Sequence, residues 1–395
     1  MAKIPFIAVF LREIDRVAGR SSTRNLLFWV PLTVYFFLAF IYIRGGLHSI
    51  PVAVYDADNS SLSRTFVRYL DASKNMQVDE YLTSDDNIGN YFLNHPDIQA
   101  VFVLPKDMYK DILKGKKVQV TIFTNSTNIV FGNILKREAL TISTTVSSGV
   151  LLERFKAAGL THHQAMNLTM PITVHSKALY NPYYNYLYYL IPGLLTVLLQ
   201  MIIFFVSTRA LNSEFQEGTF DKLFDISGGS IANILFGKAL AYSLFGMIIT
   251  VLITGVIFTT FGIPVKGDMT KLYLLFFLFI TANIFLGFMI SSIFEDQILS
   301  LDIAFFYNSP AFVFSGFTFP RLGMPAFDNF YADLIPYSHF MTAFFKIYQM
   351  DVPSSYLRPE IIALLVFLIA GLTVSYTALK IKLKLKERKL KPVNG

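Results

Sequence analysis

The chain has 395 residues and contains no cysteine. This absence excludes a disulfide, a zinc site built on thiolates and a cysteine nucleophile. Charge is also scarce, since 15% of the residues are charged, whereas soluble domains carry roughly 25%. No stretch matches the phosphate-binding loop G-x-x-x-x-G-K-[ST], and we find no cluster of ligands for a metal ion. Neither an ATP site of this type nor enzymatic activity is therefore expected from this chain.

Apolar residues are abundant instead, at 53% of the chain. Several apolar runs reach the roughly 20 residues that cross a bilayer core. We predict an α-helical membrane protein with six transmembrane helices, of which the first covers residues 26–43. The other five are expected within residues 186–380, at 186–206, 232–262, 271–294, 300–319 and 360–380.

The distribution of basic residues predicts how the chain crosses the membrane. The net charge is +7, and much of the excess lies at the two ends. Seven basic residues lie between Lys380 and Lys391, and the tail 381–395 is predicted to be a basic cytoplasmic segment. Because Lys and Arg mark the cytoplasmic side, both ends are predicted to be cytoplasmic. The same pattern points to membrane topology and not to nucleic acid.

Residues 1–25 are predicted to form an amphipathic helix in the membrane interface. Apolar side chains recur there at helical spacing, and charged ones fall on the other side. The apolar positions are Ile7, Phe10, Leu11, Ile14 and Val17, and the charged ones are Arg12, Glu13, Asp15 and Arg16. An ordinary juxtamembrane helix is the alternative.

Hydropathy falls between the first and second predicted spans, over residues 44–185. Runs such as IPVAVYDAD and IQAVFVLP read as buried strands, and NSSLSRTFVRYLDAS reads as a helix between strands. Alternating strands and helices favour a mixed or parallel sheet with covered faces. We therefore predict an α/β domain inserted between helices one and two, on the extracytoplasmic side.

Two motifs in the remaining sequence resemble one family. The stretch STRALNSEFQEGTFDKLF follows the second predicted span directly, and SGFTFPRLGMPAFDNFYADLIPY closes the fifth. Together they resemble the type-2 ABC exporter permeases, over residues 4–43 and 186–380. The opening of the predicted α/β domain resembles the extracytoplasmic insert of the multidrug-exporter-like branch. The first motif departs from the family where an arginine is common, because Asn212 and Gln216 flank Glu214.

The resemblance implies a cytoplasmic coupling helix at 209–227 that docks on a separate ATPase. The implied coupling residues are Glu214, Phe215, Glu217, Gly218, Thr219, Phe220, Asp221 and Leu223. Gly218 lets this helix break into two arms, and we expect the apolar side chains, with Phe224, to enter a groove on the partner. The alternative is a solvated linker.

A second site is expected at the outer end of the fifth span. Prolines interrupt this region, and broken helices that re-enter the membrane are predicted over residues 320–345. Aromatic rings there suggest a hydrophobic gate that excludes water and ions. The expected gate residues are Phe312, Phe314, Phe317, Phe319, Pro320, Met324 and Pro325. An aromatic belt at the membrane interface is the alternative.

The function implied by the resemblance is the permease subunit of an ATP-driven exporter in the bacterial inner (plasma) membrane. This subunit would move an amphipathic or lipophilic substrate out of the cytoplasm or the inner leaflet. The chain itself would bind no cofactor, and ATP and Mg would be bound by the ATPase subunit. A second permease copy or paralogue and membrane lipid are further expected partners, and the resemblance allows a periplasmic adaptor and an outer-membrane channel.

Two other functions stay open at this point. An ion-coupled secondary transporter would carry ionisable residues inside its spans, whereas here Asp302 is the nearest candidate and lies at the start of a span. A membrane-anchored assembly or sensor protein would use the 50–180 region to bind a partner.

Overall fold

The computed structural model of the protein describes residues 4–85, 87–170, 179–182 and 184–390. The chain divides into two compact units. One consists of Met1–Gly45 with Ala178–Gly395, and the other of Gly46–Lys177.

The first unit begins with helix α1 (Pro5–Gly19), which Pro5 opens. Proline suits this position because its fixed φ fits a helix and its missing N–H would have no helical partner. The buried stripe of α1 consists of Val9, Glu13 and Val17. Ile7 and Leu11, predicted to share an apolar face with Val17, are instead 41% exposed. The predicted stripe is thus divided between the protein core and the outside.

A nearly continuous helix follows α1. It consists of α2 (Ser21–Arg24), a π-helical turn (Asn25–Trp29) and α3 (Val30–Ile41). These 21 residues are long and apolar enough to cross a membrane. The helix overlaps the first predicted span and begins five residues before it.

The described part of the second unit contains a four-stranded sheet whose strands alternate with helices. Its elements are β1 (Ile50–Asp56), α4 (Ser61–Asp71), β2 (Met76–Tyr81), α5 (Ile88–Asn94), β3 (Ala100–Leu104), α6 (Met108–Leu113), β4 (Thr121–Thr124), α7 (Ile129–Ala157) and α8 (His162–Thr169). The strand order is β2-β1-β3-β4. Strand β1 runs parallel to β2 and β3, and β4 runs antiparallel to β3.

Both faces of the two central strands are buried. Val52 of β1 and Phe102 of β3 belong to a core with α4 and α7, to which Phe66 and Leu135 contribute. On the opposite face, Ala53 and Val101 pack with residues of the α5 region. Side chains alternate between faces along a strand, so a sheet covered on both sides needs a continuous apolar run. The sequences of β1 and β3 provide such runs.

The first unit resumes with ten helices in its described part. They are α9 (Tyr186–Gln216), α10 (Phe220–Ile226), α11 (Ile231–Val251), α12 (Phe258–Thr260), α13 (Met269–Ile293), α14 (Gln297–Asn308), α15 (Ala311–Phe314), α16 (Ala326–Asp333), α17 (Pro336–Tyr348) and α18 (Arg358–Leu390). A π-helical turn (Leu252–Ile257) joins α11 to α12. Short 3-10 turns occupy Arg321–Gly323 and Ser354–Leu357.

Five helices in the described part of the chain are long and apolar enough to cross a membrane. They are Ser21–Ile41, Tyr186–Gln216, Ile231–Thr260, Met269–Ile293 and Ser354–Lys386. Among them α13 is central, because it packs against both α9 and α18. At Gly371 of α18, an added Cβ would lie 2.7 Å from the carbonyl carbon of Phe285 in α13. Small residues permit such close approach between membrane helices.

The predicted fifth span differs from the structure. Instead of one helix over 300–319, α14 ends at Asn308 and α15 covers four residues. Pro310 lies between them. A proline has no backbone N–H to donate, and its ring clashes with the preceding turn of a continuing helix. Five helices among the described residues reach the length of a span, so the count of six transmembrane helices stays a prediction.

Candidate functional site

Glu214 lies near the end of α9 and is fully buried, with 0% exposure of its side chain. The two terminal guanidinium nitrogens of Arg12 donate to it, Nη1 to Oε1 at 2.7 Å and Nη2 to Oε2 at 3.0 Å. Arg16 and the hydroxyl of Thr219 also donate to this carboxylate. A buried charge is costly unless it is paired and hydrogen-bonded. Here the partners come from α1 and from the residue that precedes α10.

Lys238 of α11 joins this carboxylate to a second one. Its Nζ lies 3.0 Å from Oε1 of Glu214 and also donates to Glu13 of α1, which Tyr242 contacts as well. Lys238 is 0% exposed and Glu13 is 2% exposed. The lysine therefore ties α1, α9 and α11 together through charges removed from water. We call Glu13, Glu214, Lys238, Arg12 and Arg16 the buried charge cluster.

The cluster also sets the ionisation of its members on α1. Burial by itself raises the pKa of Glu13, but the charge of Lys238 and the hydrogen bonds from Lys238 and Tyr242 outweigh it, so the pKa is below its usual value. Burial lowers the pKa of Arg16. Since the pKa of Glu13 is lower in the folded state, its stabilisation is complete above the unfolded pKa. That stabilisation is lost as the pH falls through the folded pKa.

An exposed pair of contacts continues the cluster outward. Glu217 is 45% exposed, and its Oε2 accepts a hydrogen bond from Nη2 of Arg16 at 2.9 Å. Arg20 contacts the other oxygen of Glu217. Residues four apart share one face of a helix, and Arg12, Arg16 and Arg20 have this spacing. The three arginines therefore form a basic face that pairs with Glu214 and Glu217, near the end of α9.

The helix breaks between α9 and α10 at Gly218, as the sequence predicts. Gly218 has a φ of +64°, a conformation that residues with a Cβ adopt at a cost. Its N–H donates to the carbonyl of Phe215, and the N–H of Thr219 donates to that of Glu214. The long helix α9 and the seven-residue helix α10 therefore meet at a tight turn, and residues 209–216 of the predicted coupling helix belong to α9.

The predicted coupling residues separate into an inner and an outer group. Glu214, Phe220 and Leu223 are buried, with Phe220 at 7% and Leu223 at 0% exposure. Phe215 and Thr219 are half-buried, and Phe215 stacks on Phe220 with ring centroids 4.6 Å apart. The exposed members are Glu217, Gly218 and Asp221.

This separation differs from the expectation that the apolar side chains face a partner. Phe220 and Leu223 belong to the core of their own unit, where they replace water with apolar contacts. Phe224 is half-buried against the same core. What α10 leaves open to another molecule is mainly its polar side.

A comparison with protein families identifies the chain. The family model described as ABC-2 family transporter protein matches residues 22–377. The chain belongs to the ABC-2 family of transporters. Nearly the whole described chain lies inside the match, including α9, α10 and α11.

Curated relatives of this ABC-2 family chain include two permeases of Escherichia coli (strain K12). It is similar to the probable multidrug ABC transporter permease YbhS, with 26% identity over 175 residues, which are 43% of this chain and 45% of YbhS. It is also similar to the probable multidrug ABC transporter permease YbhR, with 23% identity over 172 residues, 44% of this chain and 46% of YbhR. The chain thus spans less than half the length of the curated relatives it matches.

The residues predicted as an outer gate do not form one cluster in the ABC-2 family chain. Phe317 is 6% exposed and stacks on Tyr189, with ring centroids 4.5 Å apart. Phe314 packs instead on Tyr331, at 4.9 Å between centroids. Phe319 is 52% exposed. Of the others, Phe312 and Met324 are half-buried, and Pro320 and Pro325 are exposed.

Phe317 is held by the start of α9. The Tyr189 hydroxyl donates to its carbonyl, and its ring lies against Gly193, where an added Cβ would be 2.8 Å away. Tyr337 of α17 donates to the carbonyl of Gly193 at 2.7 Å. The proline-broken region is therefore packed on the proline-glycine pair of α9.

Sequence reasoning alone does not identify several residues of the cluster. The helical pattern places Arg12, Glu13 and Arg16 on the polar outer side of α1, and Lys238 and Tyr242 lie in an apolar run without a motif. The signal that was available is Lys238 itself, since an ionised residue inside an apolar helix requires a partner. The sequence pattern also does not reveal the contact between α9 and α14, in which Gln200 donates to Asn308 at 2.6 Å.

Glu214→Ala should destabilise the protein far more than Glu217→Ala, although each removes one carboxylate. Removing Glu214 leaves buried cations without their partner, which costs about 3–5 kcal/mol. Removing the half-exposed Glu217 should cost about 1 kcal/mol or less. Thermal unfolding of the purified variants in detergent measures both. Equal losses of stability would contradict the assignment of Glu214 as the centre of the cluster.

Proposed function

We propose that this chain is the permease subunit of an ATP-driven ABC exporter, powered by a separate ATPase subunit. The observation that carries the proposal is the buried charge cluster, which fixes α1 and α10 to the ends of α9 and α11. Membership of the ABC-2 family supports the transport function. The names of YbhS and YbhR, as permeases of ABC transporters, support the ATPase partner.

The cluster is suited to passing movement from a partner into the membrane. Helix α10 follows α9 after a tight turn, and Glu214 holds that turn through Thr219. A force on the exposed side of α10 would therefore reach α9, α11 and α1 together, as a rigid-body movement. A flexible linker would absorb the same force. In this proposal, α10 is the coupling helix, and its exposed residues contact the ATPase.

We further propose that two permease copies or paralogues enclose the substrate path, which α9 and α14 would line. Gln200 and Asn308 give these two apolar helices a buried polar contact. A mostly apolar path with few polar groups fits an amphipathic or lipophilic substrate. The word multidrug in the names of both relatives agrees with such a substrate. Outward transport across the inner membrane, with an adaptor and an outer channel as further partners, belongs to the same proposal.

A secondary transporter fits the structure less well. Proton- or ion-coupled carriers place ionisable groups along the middle of their spans. Here the buried ions Glu214 and Lys238 lie within about two helical turns of a helix end, and they are paired with each other and with α1. This arrangement suits a fixed structural joint better than a relay for protons.

The exporter proposal is tested by co-expression with a candidate ABC ATPase and reconstitution into vesicles. The purified chain alone should not hydrolyse ATP, and the complex should export a lipophilic dye when ATP is added. Gly218→Pro should abolish export, because proline cannot adopt the φ of +64° and cannot donate to Phe215. Export and ATP hydrolysis are measured on the same preparation.

Gly262→Pro is a matched control. Gly262 has a φ of +63° and donates to Thr259, so the substitution brings similar strain and the loss of one hydrogen bond, away from α10. We expect the control to retain export. ATP turnover by the isolated chain would refute the exporter proposal, and normal export by Gly218→Pro would refute the coupling role of the turn.

The proposed topology places residues 46–177 outside the cytoplasm and α10 inside it. The cysteine-free chain allows single cysteines at the exposed positions Lys117 and Lys222. An impermeant thiol reagent added to intact cells should label Lys117→Cys and spare Lys222→Cys until the membrane is opened. Labelling of both variants in intact cells would contradict this topology.

The proposed outer gate is tested by comparing two phenylalanines. Phe317→Ala should lower the free energy of unfolding by about 3–5 kcal/mol, because removal of the ring leaves a cavity among packed aromatic side chains. Phe319 is half-exposed and its truncation should cost little stability. If Phe319 closes the path, Phe319→Ala should raise ion leak through proteoliposomes while the melting temperature stays unchanged. Intact sealing in this variant would favour an aromatic belt over a gate.

A further inference from the structure

The apolar helix α18 ends in a basic segment that contacts the α9–α10 region. Lys386 Nζ lies 2.6 Å from Oδ1 and 2.7 Å from Oδ2 of Asp221, on α10. Both residues are more than half exposed, with side-chain exposures of 52% and 66%. The last membrane-length helix of the chain thus reaches α10 directly.

A second lysine of α18 makes the neighbouring contacts. Lys382 is one turn before Lys386 and therefore lies on the same helix face. Its Nζ is 3.1 Å from Oε1 of Glu295, in the turn after α13, and 4.8 Å from the ring centroid of Phe215. A cation at this distance from an aromatic face is attracted to it. Lys382 thus contacts the end of α9, through Phe215, as well as the turn after α13.

The surroundings of this contact between α10 and α18 are partly open. A cavity of about 370 Å³ lies between them, and Phe215, Phe220, Asp221, Leu383 and Lys386 are among the residues that line it. Among the described residues, one ion pair joins α10 to α18, that of Lys386 with Asp221. An exposed pair adds little to stability, so its effect is expected on the position of α10.

We propose that the basic end of α18 is a second arm of the coupling site, with Lys386 as a positioning residue for α10 and Lys382 as one for the end of α9. The buried charge cluster connects α10 to α1, α9 and α11, and this arm connects it to the last span. Movement of α10 is then passed to α18 as well as to α1, α9 and α11. The inference rests on the proposed function, in which α10 receives the movement of an ATPase.

The same segment provides a control position. Lys384 lies two residues from each of the two lysines, so it points away from their face. It is exposed, and within the described residues no hydrogen bond or ion pair joins it to another side chain. A change of charge at Lys384 alters the tail as much as one at Lys386 and leaves the contact with Asp221 intact.

Charge reversal tests the arm through the number of substrate molecules exported per ATP hydrolysed. Lys386→Glu opposes Asp221 and should lower this ratio on the order of two- to fivefold, the range of an exposed ion pair, while thermal stability changes little. Lys384→Glu should leave the ratio unchanged. The double variant Asp221→Lys with Lys386→Glu restores opposite charges and should recover export.

A covalent bond can replace the ion pair. Asp221→Cys with Lys386→Cys removes both charges and should reduce the ratio like Lys386→Glu. A short bifunctional thiol reagent should then join the two cysteines and restore export, since the proposed arm acts as a fixed connection. A linker is needed because the length of a lysine side chain separates the two backbones, and a disulfide spans a short distance. The pair Asp221→Cys with Lys384→Cys should not be joined.

The outcomes separate this inference from the exporter proposal. If the wild-type complex exports its dye and Lys386→Glu behaves like Lys384→Glu, the arm is refuted and the exporter stands. If the linked pair exports no better than the unlinked pair, the arm is also refuted. If the wild-type complex shows no ATP-dependent export, the exporter proposal fails, and the coupling role of the arm fails with it.

Discussion

Burial of the Glu214 carboxylate is the constraint on which the arrangement of the first unit depends. A carboxylate at the end of a membrane-length helix, with no exposure to water, requires cations and hydrogen bonds around it. Arg12 and Arg16 from α1 and Lys238 from α11 meet that requirement. The position of α1 against α9 and α11 is therefore determined by charge pairing as much as by apolar packing.

The same constraint separates two roles along a short stretch of chain. Glu214, Phe220 and Leu223 face inward and hold α10 on its own unit, while Glu217 and Asp221 remain at the surface. A helix that transmits force needs exposed residues for contact and buried residues for attachment, because without the buried contacts the helix would move independently of its unit. In the proposed exporter the inner residues provide the rigidity and the outer ones the contact.

Proline and glycine shape the other end of the unit. Pro310 ends α14, and Gly193 lets the ring of Phe317 lie against the backbone of α9. The hydrogen bond from Tyr337 to the carbonyl of Gly193 then holds α17 at the same point. These contacts pack the irregular backbone between α15 and α16 against α9.

The sequence by itself determined the local features whose cause is local: the apolar runs of α9, α13 and α18, the alternation of strands and helices between residues 50 and 124, and the break at Gly218. It also carried two motifs that were sufficient to recognise the ABC-2 family. Only the tertiary structure decided which sides of α1 and α10 are buried, and that Glu13, Glu214 and Lys238 meet. Glu13 and Lys238 are 225 positions apart in the sequence, and Arg16 and Glu214 are 198 apart. Helical periodicity assigns a residue to a face, but the helix packed against that face determines whether its charge lies in water or in a buried ion pair.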